Sequence, residues 1–131
     1  MKEKLISAAF AAQDNAYVPY SKFKIGAAIL LKDGRILQGA NIENASYSLT
    51  MCGERNAVYR AYCEGYKKED IVALAITSNC KPVATPCGAC RQVLYELIPE
   101  NTPIYLVNSY GDEIITTPKE LLPYGFSKES L

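Results

Sequence analysis

The chain has 131 residues, and its 14 basic and 14 acidic side chains give a formal net charge of zero. A balanced charge without a basic cluster argues against a nucleic-acid partner, and no apolar run reaches the roughly 20 residues that would cross a bilayer. The chain contains no histidine, which excludes Ser-His-Asp and Cys-His nucleophile systems. Acid–base chemistry near neutral pH must therefore come from a carboxylate, a thiolate or a metal-bound water.

The length predicts one domain over residues 1–131, large enough to bury its own hydrophobic core. The N-terminal residues show no export signal, so we expect a cytoplasmic protein. An odd number of cysteines in such a chain indicates thiols or metal ligands before disulfides. The five are Cys52, Cys63, Cys80, Cys87 and Cys90.

The first third of the chain predicts a helix followed by a β-hairpin. Apolar residues recur at helical spacing within residues 2–17. Two largely apolar stretches, 24–32 and 35–42, then flank Asp33 and Gly34, a pair that favours a tight turn.

The middle of the chain predicts two helices around a strand. Residues 52–65 show a helical apolar face and end at Gly65, a typical helix stop. Residues 70–78 form a nearly continuous apolar run that suits a strand buried on both faces. A helix over residues 86–98 follows, with Pro86 expected in its first position.

The last segments complete an α-β-β-α-β-α-β-α order. Residues 104–108 predict a short strand, Gly111 and Asp112 a turn, and residues 117–120 a brief helix. Strands that alternate with helices in the second half favour a mixed sheet covered by helices on both faces.

The helix over residues 86–98 presents two cysteines in its first turn. Cys87 and Cys90 lie three residues apart, so their sulfurs share one side of the helix. Thr85 is expected to cap this helix. The free N–H groups of a first helical turn favour negative charge, and therefore thiolates.

A third thiolate is expected from Cys52, which begins the helix over residues 52–65 with Thr50 or Ser48 as a cap. Three thiolates select zinc or an iron–sulfur species. Three protein ligands leave the fourth tetrahedral position of zinc to water, which is typical of a catalytic site. We therefore expect one Zn²⁺ per chain.

Two charged neighbours of Cys52 are candidates for supporting roles. Glu54 can exchange a proton with metal-bound water, although an acid in a first helical turn can also simply complement the helix dipole. Arg55 is the candidate to offset the thiolate charge by hydrogen bonding. Arg91 is the alternative, and a surface role is open for either arginine.

The motif Cys52-Gly53-Glu54, followed by Pro86-Cys87-x-x-Cys90, resembles the zinc-dependent nucleoside and nucleobase deaminases. The match is closest to the small three-cysteine cytidine deaminases and covers nearly the whole chain. Further segments that resemble this family are residues 20–23, 39–44 and 121–127, together with Tyr47. The chain departs from the family at Gly53, where alanine is usual, and at Tyr124-Gly125, where Gly-Ala is commoner.

This resemblance implies a three-layer α/β/α fold with a mixed sheet of about five strands. It implies hydrolysis of cytidine or 2′-deoxycytidine to uridine or 2′-deoxyuridine and ammonia, as in pyrimidine salvage. Zinc-bound hydroxide would attack C4 of the base. Glu54 would carry a proton from the water to N3 and then assist the departure of ammonia.

The resemblance also implies which residues bind the nucleoside. Asn41 and Glu43 would bind the ribose hydroxyls, and the Glu43 charge would disfavour a 5′-phosphate; a solvated strand end is the alternative for this pair. Phe23 and Phe126 would flank the base, with Phe126 reaching into a neighbouring subunit of a homotetramer. The remaining substrate contacts are assigned to Tyr47 and Gly53.

Three alternatives stay open. One is deamination of another amine-bearing base, such as blasticidin S. Another is a closed structural zinc module with Cys80 as fourth ligand. The last is a redox Cys-x-x-Cys domain, which needs neither Cys52 nor Glu54. Cys80 otherwise reads as a loop thiol and Cys63 as a small buried side chain within its helix.

Overall fold

The computed structural model describes all 131 residues and is built around one mixed five-stranded sheet. β1 (Ile25–Leu31) lies between β2 (Ile36–Ala40) and β3 (Ile71–Ser78), and it is antiparallel to both. β3 pairs in parallel with β4 (Ile104–Asn108), whose other neighbour is the antiparallel β5 (Glu113–Thr116). The strand order is therefore β2-β1-β3-β4-β5.

Helices cover both faces of this sheet. The long helices are α1 (Lys2–Ala12), α2 (Gly53–Cys63) and α3 (Gly88–Leu97), and the four-residue α4 (Pro118–Leu121) follows β5. Successive side chains of β1 point to opposite faces of the sheet, and each face is covered by different helices. Ala27, Ile29 and Leu31 belong to the core under α2 and α3, whereas Ala28 packs with Leu5 of α1. The predicted three-layer α/β/α fold is confirmed.

The hairpin and the end of the second helix agree with the sequence patterns. Gly34 in the β1–β2 turn and Gly65 after α2 both have positive φ, at 88° and 94°. Glycine adopts this left-handed backbone without a Cβ clash, so it terminates the strand and the helix at these points.

Three local predictions were wrong or incomplete. α1 ends at Ala12 and continues only as a 3₁₀ turn to Asn15, short of residue 17. β5 was not identified as a separate segment, because three of its four residues are exposed and give no alternating pattern. Cys63 is exposed rather than buried, since it occupies the last position of α2.

The close approach of α2 to β2 depends on Gly39. A Cβ atom at this position would lie 2.5 Å from the Ala57 backbone nitrogen and 2.6 Å from the Gly53 carbonyl oxygen. Both are backbone atoms of α2, so the helix itself would have to move.

Gly39→Ala is therefore expected to destabilise the protein by about 1–3 kcal/mol, the usual cost of overpacking. The measurement is thermal or urea unfolding. Gly88→Ala is the matched control, because a Cβ there has no neighbour within 4 Å. Equal stability of the two variants would contradict the close packing of α2 on β2.

None of the helices has the length and hydropathy that a membrane-spanning segment requires.

Candidate active site

The two helices that carry the predicted metal ligands begin directly after a cysteine. Cys52 precedes α2 and Cys87 precedes α3, and both have an extended backbone with ψ of 151° and 168°. Neither helix has a side-chain cap. The predicted caps Thr50, Ser48 and Thr85 were therefore wrong, and each thiol stands at the cap position, beside the free N–H groups of its helix.

α3 also begins two residues later than expected. Pro86 lies outside the helix, because the first helical hydrogen bond runs from the Arg91 N–H to the Cys87 carbonyl (2.9 Å). Cys90 is then the third helical residue and is buried, whereas Cys87 is exposed. The cysteine pair therefore spans the boundary of α3.

The sulfurs of Cys52, Cys87 and Cys90 lie within 4.8 Å of one another. The Cys52 and Cys87 sulfurs are 3.9 Å apart. Thiolates bound tetrahedrally to one zinc at about 2.3 Å would be roughly 3.8 Å apart. The three side chains thus fit a single zinc ion and leave one coordination position open.

The chemistry of the thiols also suits a cation. Hydrogen bonding from Cys90, supported by Arg55, lowers the pKa of Cys52 to about 5. The pKa of Cys90 is raised, because it hydrogen-bonds to Cys52 and is buried. A cation bound by the three sulfurs would favour their thiolate forms, because cysteine binds metals as the thiolate.

Cys80 lies outside this cluster, in the loop after β3. Its thiol donates a hydrogen bond to the Pro82 carbonyl (3.5 Å).

Arg55 is the arginine that contacts the sulfur cluster. Its Nη2 donates to the Cys52 sulfur at 3.4 Å, and its Nε is buried without a partner in the chain. Arg91 instead donates to the carbonyls of Pro86 (2.7 Å) and Leu121 (3.0 Å). Arg91 thus ties the loop before Cys87 to the C-terminal segment, and its guanidinium is occupied there.

Arg55→Ala is expected to weaken zinc binding about 10–100-fold, because the thiolate charge loses its hydrogen-bonding partner. The measurement is a chelator competition that gives the zinc dissociation constant. Arg60→Ala is the control, since Arg60 is exposed on the same helix and pairs with Glu64. Unchanged zinc affinity in the Arg55 variant would show that the Arg55 hydrogen bond to Cys52 does not contribute to metal binding.

Glu54 is the second residue of α2 and is only 5% exposed. It lines the same cavity as Cys52 and Cys87. Burial raises the pKa of its carboxyl group to about 7, and the neighbouring Cys52 thiolate adds to this shift. A carboxyl group with such a pKa can both accept and donate a proton near neutral pH.

A cavity of about 260 Å³ opens beside these residues. It brings together six of the predicted site residues: Phe23, Asn41, Glu43, Cys52, Glu54 and Cys87. Six further lining residues were not predicted: Ser21, Ile25, Thr50, Ile76, Ala84 and Thr85. Ser21 had a signal in the sequence, since it lies in the Tyr-Ser-Lys-Phe segment, and Thr50 and Thr85 each lie two residues before a predicted ligand. Ile25, Ile76 and Ala84 had no such signal.

The rim of the cavity is organised by Glu43. Its carboxylate accepts hydrogen bonds from the backbone N–H groups of Tyr20 (3.1 Å) and Ser21 (3.2 Å), and from the Ser21 hydroxyl. These bonds, the Ser21 hydroxyl first, lower the pKa of Glu43. The rim therefore presents a fixed negative charge.

Three of the predicted nucleoside-binding residues lie apart from this cavity wall. Tyr47 is 72% exposed and contacts Tyr20 edge to face. Phe126 is 56% exposed, and its carbonyl accepts a hydrogen bond from Gln92 of α3 (2.9 Å). Gly53 is the buried first residue of α2, where a Cβ would approach Ile25 to 3.1 Å.

The sequence motifs and the geometry thus agree: the Cys-x-Glu motif at α2 and the Cys-x-x-Cys pair at α3 meet at one cavity, as in the zinc-dependent nucleoside and nucleobase deaminases. The family model of the cytidine and deoxycytidylate deaminase zinc-binding region matches residues 1–106. The chain belongs to this family. Its metal is zinc and its class of reaction is hydrolytic deamination.

Known relatives match along the whole chain. The cytidine deaminase of Halalkalibacterium halodurans is 51% identical over 99% of this chain and 97% of its own length. That of Sporosarcina psychrophila is 48% identical, covering 98% and 93%. The crystal structure of cytidine deaminase from Burkholderia pseudomallei is 43% identical, covers 96% of this chain and 99% of its own, and superposes with a TM-score of 0.93.

Proposed function

We propose that the chain, as one catalytic domain over residues 1–131, hydrolyses cytidine and 2′-deoxycytidine to uridine and 2′-deoxyuridine plus ammonia, in pyrimidine salvage. The observation that carries this proposal is the convergence of Cys52, Cys87 and Cys90 beside the buried Glu54 at one cavity. The cavity volume of about 260 Å³ suits a small ligand such as a nucleoside.

Cys52, Cys87 and Cys90 would hold the zinc ion through their sulfurs. When bound there, zinc would supply the Lewis acidity that makes water a nucleophile for C4 of the pyrimidine. The charge of three thiolates is offset by Arg55 and by the N-terminal ends of α2 and α3.

Glu54 is the proton carrier in this proposal. Its carboxylate takes a proton from the attacking water and delivers it to N3 of the base. It then carries the second proton of the water to the amino group, which leaves C4 as ammonia. Each transfer returns Glu54 to its starting state, so a single carboxylate suffices for the whole reaction.

The same cavity offers contacts for the nucleoside. The ring of Phe23 would pack against the base. Gly53 does not line the cavity, but it lies between Cys52 and Glu54, which do, and would offer its backbone N–H from the start of α2. The Asn41 amide and the Glu43 carboxylate would bind the ribose hydroxyls, since each retains hydrogen-bonding capacity beyond its contacts within the chain. The negative charge of Glu43 disfavours a 5′-phosphate, so we propose a nucleoside substrate rather than a nucleotide.

We further propose that Phe126 and Tyr47 act across subunit boundaries in a homotetramer. Both rings are exposed, as are Tyr17, Ile42 and Leu49, and Tyr47 packs edge to face on the exposed Tyr20. Exposed apolar surface of this kind favours association with a second copy. Light scattering should give the mass of four chains, and a monomer at assay concentration would refute this assembly.

We also propose a cytoplasmic location, because it would keep the five cysteines reduced. Fractionation of expressing cells would test this location.

The test of the proposed reaction is the ultraviolet absorbance of cytidine and the release of ammonia on addition of zinc-replete protein. We expect a fall in absorbance with one ammonia released per uridine formed. No turnover by folded, zinc-bound protein would refute the proposal and direct the search to other amine-bearing heterocycles.

A further inference from the structure

The segment that leads into β1 carries the cavity residue Phe23. We call residues 22–25 the entry segment. The Phe23 side chain lines the cavity and packs against the main core, whereas Lys22 and Lys24 are exposed. The position of the Phe23 ring therefore depends on what holds the backbone of this segment.

Two asparagine side chains hold the entry segment, one from each strand that flanks β1. Asn41 follows the last residue of β2, and Asn79 follows the last residue of β3. Both lie just beyond the regular sheet, on opposite sides of the entry segment, because β1 lies between β2 and β3.

The side-chain amides of Asn41 and Asn79 make four hydrogen bonds, one with the backbone of each residue of the entry segment. Asn41 accepts from the Ile25 N–H (3.0 Å) and donates to the Phe23 carbonyl (2.7 Å). Asn79 accepts from the Lys24 N–H (3.0 Å) and donates to the Lys22 carbonyl (3.3 Å). The two amides thus extend the sheet pairing of β1 past the ends of its neighbours.

An asparagine suits this task because its amide offers an acceptor and a donor in one plane, as a peptide group does. Either residue alone would hold one edge of the entry segment. Together they bond to its backbone on both edges and surround Phe23.

The entry segment needs such restraint because part of its backbone is strained. Lys22 has a φ of +61°, a left-handed conformation that is uncommon for a residue other than glycine. Its carbonyl is the group that Asn79 bonds, and the next N–H, that of Phe23, donates to the Ser21 hydroxyl (3.0 Å). Hydrogen bonds with Asn79 and Ser21, rather than the backbone preference of Lys22 itself, keep this conformation in place.

We propose that Asn79 is a positioning residue for the deamination reaction, acting through Phe23. The inference rests on the proposed function, since it assigns Phe23 to the base. Asn79 itself does not line the cavity. Its removal frees one edge of the entry segment, so the ring of Phe23 is no longer held where the base binds.

The test compares Asn79→Ala with the wild type on cytidine. We expect kcat/KM to fall roughly 3–10-fold, mainly through KM, as for the loss of one or two hydrogen bonds. Asn79→Asp should lie in between, because its carboxylate still accepts from the Lys24 N–H but cannot donate to Lys22. Asn101→Ala, an exposed asparagine near the start of β4, is the control and should match the wild type.

A double-mutant cycle separates positioning from general destabilisation. If Asn79 acts through Phe23, Asn79→Ala should have little effect in a Phe23→Leu background. An equal loss in both backgrounds, or an unchanged kcat/KM for Asn79→Ala alone, would overturn the proposal.

Amide hydrogen exchange provides a readout that does not depend on activity. In Asn79→Ala the Phe23 and Lys24 amides should exchange faster, with the amides of β4 unchanged. Unchanged exchange at Phe23 and Lys24 would refute the positioning role even if cytidine were not the substrate. Absence of turnover by the wild type, with faster exchange in the variant, would instead count against the proposed function alone.

Discussion

Glu54→Gln is expected to lower kcat on cytidine by on the order of 10²–10⁴-fold, the usual contribution of general acid–base catalysis. The amide has nearly the same shape and can occupy the same buried position in α2, but it cannot take a proton from water. Zinc content should remain at one ion per chain, because Glu54 stands beside the three sulfurs and is not one of the clustered ligands. The measurements are steady-state kinetics and zinc analysis on the same preparation.

Glu96→Gln is the matched control, since Glu96 is exposed on α3 and does not line the cavity. It should retain both zinc and activity. Loss of zinc from Glu54→Gln would make this carboxylate a metal ligand. Activity close to that of the wild type would rule out Glu54 as the proton carrier.

Cys87→Ser and Cys90→Ser are expected to lose zinc and, with it, roughly 10²-fold or more of the activity. Each removes one of three soft ligands from a site that has no other cysteine within its 4.8 Å cluster. Replacing a partner outside the coordination sphere already costs about 10–100-fold in affinity or activity, and a direct ligand contributes more. Zinc analysis after dialysis against a weak chelator measures the effect.

Cys63→Ser and Cys80→Ser are the matched controls. Cys63 is exposed at the end of α2, and the Cys80 thiol bonds to a loop carbonyl. Both variants should keep one zinc per chain. Loss of zinc from Cys80→Ser would instead indicate a site closed by four ligands and favour a structural zinc module. A reversible Cys87–Cys90 disulfide in protein that never holds zinc would favour the redox alternative.

The sequence was most informative where a function requires fixed residues at short spacing. Cys87 and Cys90 are three residues apart at a helix start, and Glu54 follows Cys52 closely, so these patterns are visible without a structure. The hairpin turn at Gly34 and the helix end at Gly65 were equally clear, because left-handed backbone favours glycine. Cys52 was expected as the third ligand because it begins a predicted helix, and the resemblance to a known family pointed to the same residue.

Local sequence patterns predicted the burial of side chains and the first residues of helices less well than they predicted the ligands and turns. Cys63 has apolar neighbours in sequence, but its position in the last turn of α2 exposes it. The expected caps at Thr85 and Thr50 were wrong, because each helix begins at its cysteine. A preference for capping residues does not determine which neighbouring residue takes the extended backbone.

By itself, the sequence determined the types of ligand, the presence of a carboxylate beside them and the kinds of elements, because these follow from side-chain chemistry and local periodicity. Only the tertiary structure decided that Arg55 rather than Arg91 contacts a ligand sulfur, and that Asn41 and Asn79 hold the segment around Phe23. Asn41 and Asn79 are 38 residues apart in the chain. They flank the same segment because the sheet order places β1 between β2 and β3, and strand order depends on how the whole core packs.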